Sequence, residues 1–201
     1  MSTHSTPLIP TIVTSTKSQA TMLSKSALVA IGALFLSAMA QISIPIPGSP
    51  VPVTGQTLAA LLIGTSYGLA LGTSSFLLYL LVGFVGLPVF ADGSHGISRL
   101  TGATGGYLVG MLLATALTGY LAERKWDQRF RTSIPTMLLG SVVIFGSGMF
   151  WLHHVAAESW SWTLSKGFTP FIPGEIIKIA IASTSLPVVW RYLHSKDRTD
   201  R

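Results

Sequence analysis

Between Leu28 and Ala122 the chain carries only two formal charges, Asp92 and Arg99. A water-soluble domain places charge on about a quarter of its residues, because its surface must hold a hydration layer. Here a tenth of the 201 residues are charged, 49% are hydrophobic and the mean hydropathy is +0.57. Most of the outward surface must therefore face hydrocarbon. Crossing a layer of about 30 Å takes roughly 20 apolar residues of helix. Residues 26–44, 67–87, 104–122, 136–156 and 171–192 are each long enough. Helix is the required form, since backbone groups in lipid must be satisfied within their own segment. A shorter helix starting near Thr54 and turning at 64–68 into the next makes the predicted fold an all-α membrane protein of six transmembrane helices.

The remaining charge gathers at the ends of these runs. A net charge of +6 suits nucleic acid only when the basic residues share a water-facing surface. These residues instead flank apolar spans, as Lys and Arg do on the cytoplasmic side of a membrane. An even number of crossings with Lys25, Arg124, Lys125, Arg129, Arg131 and Arg191 on one side predicts N and C termini in the cytoplasm and no nucleic-acid partner. Residues 1–22, rich in Ser and Thr, read as a disordered tail. Residues 23–193 form the membrane domain, and 194–201 a cytoplasmic C-terminal tail. The first apolar run follows Lys25 and is long enough to span, so it reads as a retained helix rather than a cleaved signal. With no cysteine, disulfides, thiol nucleophiles and cysteine metal sites are excluded.

Residues 44–52 contain four prolines, which remove backbone donors and stop the helix before them. Apolar backbone that cannot be helical is tolerated at membrane depth where it covers a cavity. The segment therefore reads as a lid, or as a plain exterior loop. Glu175 and Lys178, three residues apart in an otherwise apolar helix, share a face. Ionisable groups in such a place pair with each other and mark a substrate or ion path. Arg99 can add a guanidinium suited to a carboxylate. Gln56, beside Thr54, brings an amide donor and acceptor, or caps its own helix. His153 and His154 lack the further acids or histidines a metal requires, so no metal is expected. Gly146-Ser147-Gly148 lacks a base and reads as a helix-packing face. No Walker phosphate loop is present, so any ATP is hydrolysed by a partner. In the first helix, Ser26, Ala30, Ala33, Ser37 and Ala40 form a stripe of small residues, fit either for packing inside the bundle or for docking a separate membrane subunit.

Four stretches, residues 51–59, 83–90, 104–110 and 173–178, occur in an order that resembles the BioY family, the biotin-specific S components of energy-coupling-factor (ECF) transporters. The resemblance spans about residues 23–193. It implies an S-component fold, no enzymatic activity, no bound cofactor, and biotin as transported substrate near the outer face of a bacterial plasma membrane. It also implies a membrane scaffold subunit and two ATPase subunits as partners. By position it carries substrate binding to Glu175 and Lys178 and to the Gly105-Gly106-Tyr107 motif, with Arg99, Gln56 and Thr54 at the same mouth. Ala30, Ala33 and Ser37 would dock the scaffold. Two positions depart from the family's usual pattern, with Glu175 in place of aspartate and Ala103 in place of proline. An S component for thiamin or riboflavin and a small membrane-embedded enzyme are the competing readings.

Overall fold

Glycine and proline set where the apolar runs begin and end. In a computed structural model of the chain, residues 7–10 and 22–199 are described. Helix α1, Met22–Gln41, stops before the proline-rich segment. Its continuation, β1 (Ser43–Ile44), pairs antiparallel with β2 (Val53–Thr54), Ser43 opposite Thr54. The segment between them is thereby drawn into a closed loop. Helix α2, Gln56–Val85, is interrupted at Gly68, whose φ of 80° and ψ of −178° leave the helical region. The part before the break would rise only about 18 Å, too short to cross the hydrocarbon alone. Beyond the break, the Glu123 carboxylate accepts a hydrogen bond from the backbone N–H of Leu69 (3.0 Å), satisfying a donor that the interruption frees. At the other end Gly86, at φ 119°, forms a left-handed cap.

A loop with a short 3-10 turn at Ala91–Gly93 and a four-residue helix α3, Ser98–Thr101, leads to α4, Gly105–Ala122. Helix α5 covers Phe130–Ala156, α6 Trp160–Gly167 and α7 Ile172–Thr199. Among the described residues, five helical stretches are long and apolar enough to cross a membrane. One boundary differs from expectation. Helix α5 starts at Phe130, well before residue 136, and carries Pro135 inside it. The Trp160-Ser161-Trp162 stretch, which lies between the spans 136–156 and 171–192, is the first turn of α6, capped where the Ser159 hydroxyl accepts from the Trp162 N–H (3.2 Å).

Small residues bring the helices together. A side chain at Gly64 would run into Thr115 and Thr118 of α4, and one at Gly119 into the backbone of Gly68. Thr115 donates across this contact to the Ala60 carbonyl (3.2 Å). Such close approach is how helices associate where lipid supplies no hydrophobic drive. On the outside of the bundle Leu34, Leu81, Val142 and Ile176 stand exposed, as a lipid-facing surface requires. Of the tail expected to be disordered, Pro7 lies against Gly68 and Leu8 is buried in the core, so residues 7–10 depart from that expectation. Residues 1–6, 11–21 and 200–201 lie outside the described residues, and with them Lys17 and Arg201.

Candidate functional site

The start of α2, the start of α7, the 44–52 loop and the turn after α2 converge at one end of the bundle. They enclose a cavity of about 230 Å³. Its floor is polar and its walls are apolar and aromatic. Pro45, Ile46, Pro50, Val51 and Pro52 cover it, which makes the proline segment a lid. Ser49 fastens that lid. Its hydroxyl lies 2.8 Å from the Lys166 carbonyl at the end of α6 and 2.9 Å from the Val51 carbonyl, and accepts from the Val51 N–H at 3.1 Å.

Lys178 lines the cavity, held by two partners. Its ammonium donates to Glu175 Oε1 and to Thr57 Oγ1, both at 2.8 Å. The Thr57 hydroxyl in turn donates to Glu175 Oε1 (2.6 Å), and Ser141 of α5 reaches the other carboxylate oxygen at 3.4 Å. The lysine and glutamate side chains are 12% and 8% exposed. A pair so far removed from water needs further hydrogen bonds to persist, and Thr57 and Ser141 supply them here.

Arg99, in α3, reaches the same cavity and, among the described residues, makes no ion pair. Thr54 and Gln56 also line it. The Thr54 hydroxyl donates to Gln56 Oε1 (3.0 Å), and Gln56 Nε2 donates to the Tyr79 hydroxyl. This leaves Gln56 one further N–H and one further lone pair. Tyr107 contributes its ring. Its hydroxyl is occupied by the Gly167 carbonyl (2.8 Å), and the ring stacks on Phe171 at 6.2 Å and meets Phe145 edge-on.

The structure thus brings together Lys178, Arg99, Gln56, Thr54 and Tyr107, with Glu175 directly behind Lys178. Gly105 and Gly106 do not reach the cavity. A side chain at Gly105 would strike the Leu100 carbonyl, and one at Gly106 the Trp151 side chain and the Ser147 carbonyl. These glycines admit neighbouring helix, not ligand. Trp151 donates to the Gly102 carbonyl (2.9 Å) and braces that turn. The expected docking stripe also divides. Ala30 is exposed, but Ala33 is 7% exposed within the core, and the half-buried Ser37 bonds back to the Ala33 carbonyl (2.8 Å). The helical period was read correctly, but α1 is rotated so that Ala33 packs inside.

Sequence reasoning missed Thr57, Ser49 and Asp92. Asp92 lines the cavity from a left-handed conformation, φ 58° and ψ 33°. Gln41, at the end of α1, holds that turn by donating to the Val89 and Phe90 carbonyls and accepting from the Gly93 N–H (3.1 Å). Among the described residues no cluster of His, Asp or Glu could hold a metal ion. His153 and His154 lie apart from the cavity, His153 stacked 4.1 Å from Trp160. Gly148 packs against the Tyr107 ring and Ser147 donates to the Gly106 carbonyl (2.9 Å), so the Gly-Ser-Gly stretch is a packing face.

Known proteins share this fold. The solved S-component for biotin from an ECF-type ABC transporter superposes with a TM-score of 0.75 at 25% identity, covering 86% of this chain and 92% of that one. The biotin transporter BioY2 of Lactococcus lactis is 37% identical over 82% of this chain and 89% of its own length. The biotin transporter BioY of Thermotoga maritima is 36% identical over 70% and 81%. The probable biotin transporter BioY of Pyrococcus horikoshii is 37% identical over 77% and 89%. The family model described as the BioY family matches residues 13–195. With the family model over most of the chain, relatives above 30% identity and the fold in agreement, this multi-pass membrane protein belongs to the BioY family.

Proposed function

We propose that the chain is the biotin-capturing S component of an ECF importer, taking biotin at the outer face of a bacterial plasma membrane. Biotin joins a carboxylate and an uncharged cyclic urea through an apolar body, and the cavity offers a matching set. Arg99, a cation without a salt-bridge partner among the described residues, suits the carboxylate. The Lys178–Glu175–Thr57 network has its charges already paired, so it suits the urea. Phe145, Phe171 and Tyr107 line the space between. The observation that carries this reading is that, among the described residues, one cavity-lining cation has no ion pair and the other is paired with a buried acid, in a single aromatic-walled cavity. A pocket for two like anions would leave both cations free.

The sequence has no Walker phosphate loop, so any ATP that drives uptake would be hydrolysed by a partner. A membrane scaffold subunit and two ATPase subunits would be the partners, as in the ECF arrangement. Docking would use the outward face of α1, on which Ala30 is exposed, rather than Ala33.

The test is titration of the detergent-purified protein with biotin, thiamin and riboflavin by calorimetry. Biotin should bind at one per chain and the other two should not. Lys178→Ala should weaken biotin about a hundredfold, the upper end for loss of a charge-assisted contact. Tight thiamin or riboflavin binding, or unchanged biotin binding by the folded variant, would overturn the reading.

A further inference from the structure

The chemistry of the network assigns its hydrogens. A carboxylate only accepts and an ammonium only donates, so the single Thr57 proton must go to Glu175 Oε1, 2.6 Å away. The Thr57 oxygen must then accept from Lys178 at 2.8 Å. Lys178 has three N–H groups and spends one on Thr57 and one on Glu175. One remains, and Lys178 and Thr57 both line the cavity. Thr57 likewise keeps one unused lone pair. The three side chains close a ring in which each touches the other two, which removes the freedom a lysine head normally has.

We infer that Thr57 is the positioning residue for Lys178: it fixes the ammonium against Glu175 so that one N–H, beside one threonine lone pair, faces the cavity as a neutral donor–acceptor pair. Such a pair matches the adjacent C=O and N–H of a cyclic urea. It does not match a carboxylate, which only accepts. This inference rests on the proposed biotin reading and extends it by naming the group that orients the lysine. Without the hydroxyl, Lys178 would keep only Glu175 as an anchor, and the ammonium could swing toward whichever charge it meets.

The experiment measures biotin and biotin methyl ester binding by calorimetry for the unaltered protein, Thr57→Val, Thr57→Ser, Lys178→Met and the Thr57→Val/Lys178→Met double variant. Each is first shown to be monodisperse. Thr57→Val should bind biotin about tenfold more weakly, the loss of about one hydrogen bond to a charged group. Thr57→Ser, which keeps the hydroxyl, should stay within about threefold. The double variant should lose clearly less than the two single losses combined, because Thr57 acts largely through Lys178 and coupled residues are not additive. The loss on Thr57→Val should be the same for biotin and for its methyl ester. If Thr57→Val does not fold, Thr57→Ala takes its place in every comparison.

Additive losses in the double variant, full affinity in Thr57→Val, or a loss in Thr57→Ser as large as in Thr57→Val would overturn the inference. So would a loss that disappears with the methyl ester, which would put the carboxylate at this network. Failure of the unaltered protein to bind biotin would instead overturn the proposed function, and this inference with it.

Discussion

Helix α7 meets a buried carboxylate near each of its ends, and the two are stabilised in opposite ways. Near its start Glu175 is paired with a cation and two hydroxyls, at the edge of a cavity. Near its other end Trp190 donates its indole N–H to Asp127, a fully buried acid in the 123–129 loop. Among the described residues Asp127 pairs with no cation, and its Oδ1 has no hydrogen-bond partner. The first carboxylate is paired with a cation that also lines the cavity. The second is a strut between a loop and a helix, stabilised most when it carries no charge. A buried acid indicates a site when its partner is a cation facing open space.

Glu175→Gln attacks the first half of this contrast and should have the largest effect. Glutamine keeps an acceptor for Thr57 and Lys178 but removes the charge that answers the lysine. Breaking a buried pair from one side costs about 3–5 kcal/mol, because the other charge is left desolvated. Thermal unfolding in detergent should show that loss, and biotin binding should fall with it. Adding Lys178→Met should recover much of the stability without restoring binding, since no lone charge is then left desolvated. If the double variant stays as unstable as Glu175→Gln, the glutamate supports the fold through something other than the lysine.

Much of this arrangement could be read from the sequence, and the limits have physical causes. Glu175 and Lys178 stand out because charge in an apolar run is costly and needs a reason. Thr57 does not, because hydroxyls are common in membrane helices and its acid lies 118 residues away. Gly86 and Pro173 mark helix ends through backbone restrictions that no tertiary contact can override. Helix α6 is too short and too polar to give an apolar run, so the hydropathy pattern did not announce it. Gly105 and Gly106 show that closeness is needed, while what comes close, Trp151 rather than ligand, depends on how α5 packs. Ala33 follows the same rule: its spacing places it on a stripe, but only the neighbouring helix decides that the stripe is inside.

Asp127→Asn tests the second half of the contrast. Burial raises the Asp127 carboxyl from its usual 3.8 to about 6, with the Trp190 hydrogen bond pulling partly the other way. Between about pH 4 and 6 the folded protein therefore holds a proton that the unfolded chain has released, and stability falls as pH rises through that window. The full difference is of order 3 kcal/mol above pH 6, at about 1.4 kcal/mol per pH unit. Asparagine still accepts from Trp190 but cannot ionise. Unfolding curves from pH 4 to 8 should show the difference between the two proteins growing across the window, with the variant the more stable at pH 8. Biotin affinity should not change. A constant difference across the range would mean Asp127 titrates normally.

Ser49→Ala asks whether the cavity end can be altered without touching the core, and it carries the smallest effect. The Ser49 hydroxyl has one proton to share between the Lys166 and Val51 carbonyls, so its removal forfeits about one neutral hydrogen bond, roughly 0.5–1.5 kcal/mol. That bond ties the lid to α6 and supports no helix, so the unfolding temperature should stay where it is. Biotin that must pass the lid should leave about two- to tenfold faster. Its arrival should be unaffected if binding occurs through lids already open. Stopped-flow measurement of release, beside equilibrium titration, separates the two rates. Faster release with unchanged entry would make the proline segment a gate held by one serine. Equal changes in both rates would mean that Ser49 shapes the path rather than latching it, and the lid would then be held by its apolar contacts, chief among them the buried Val51.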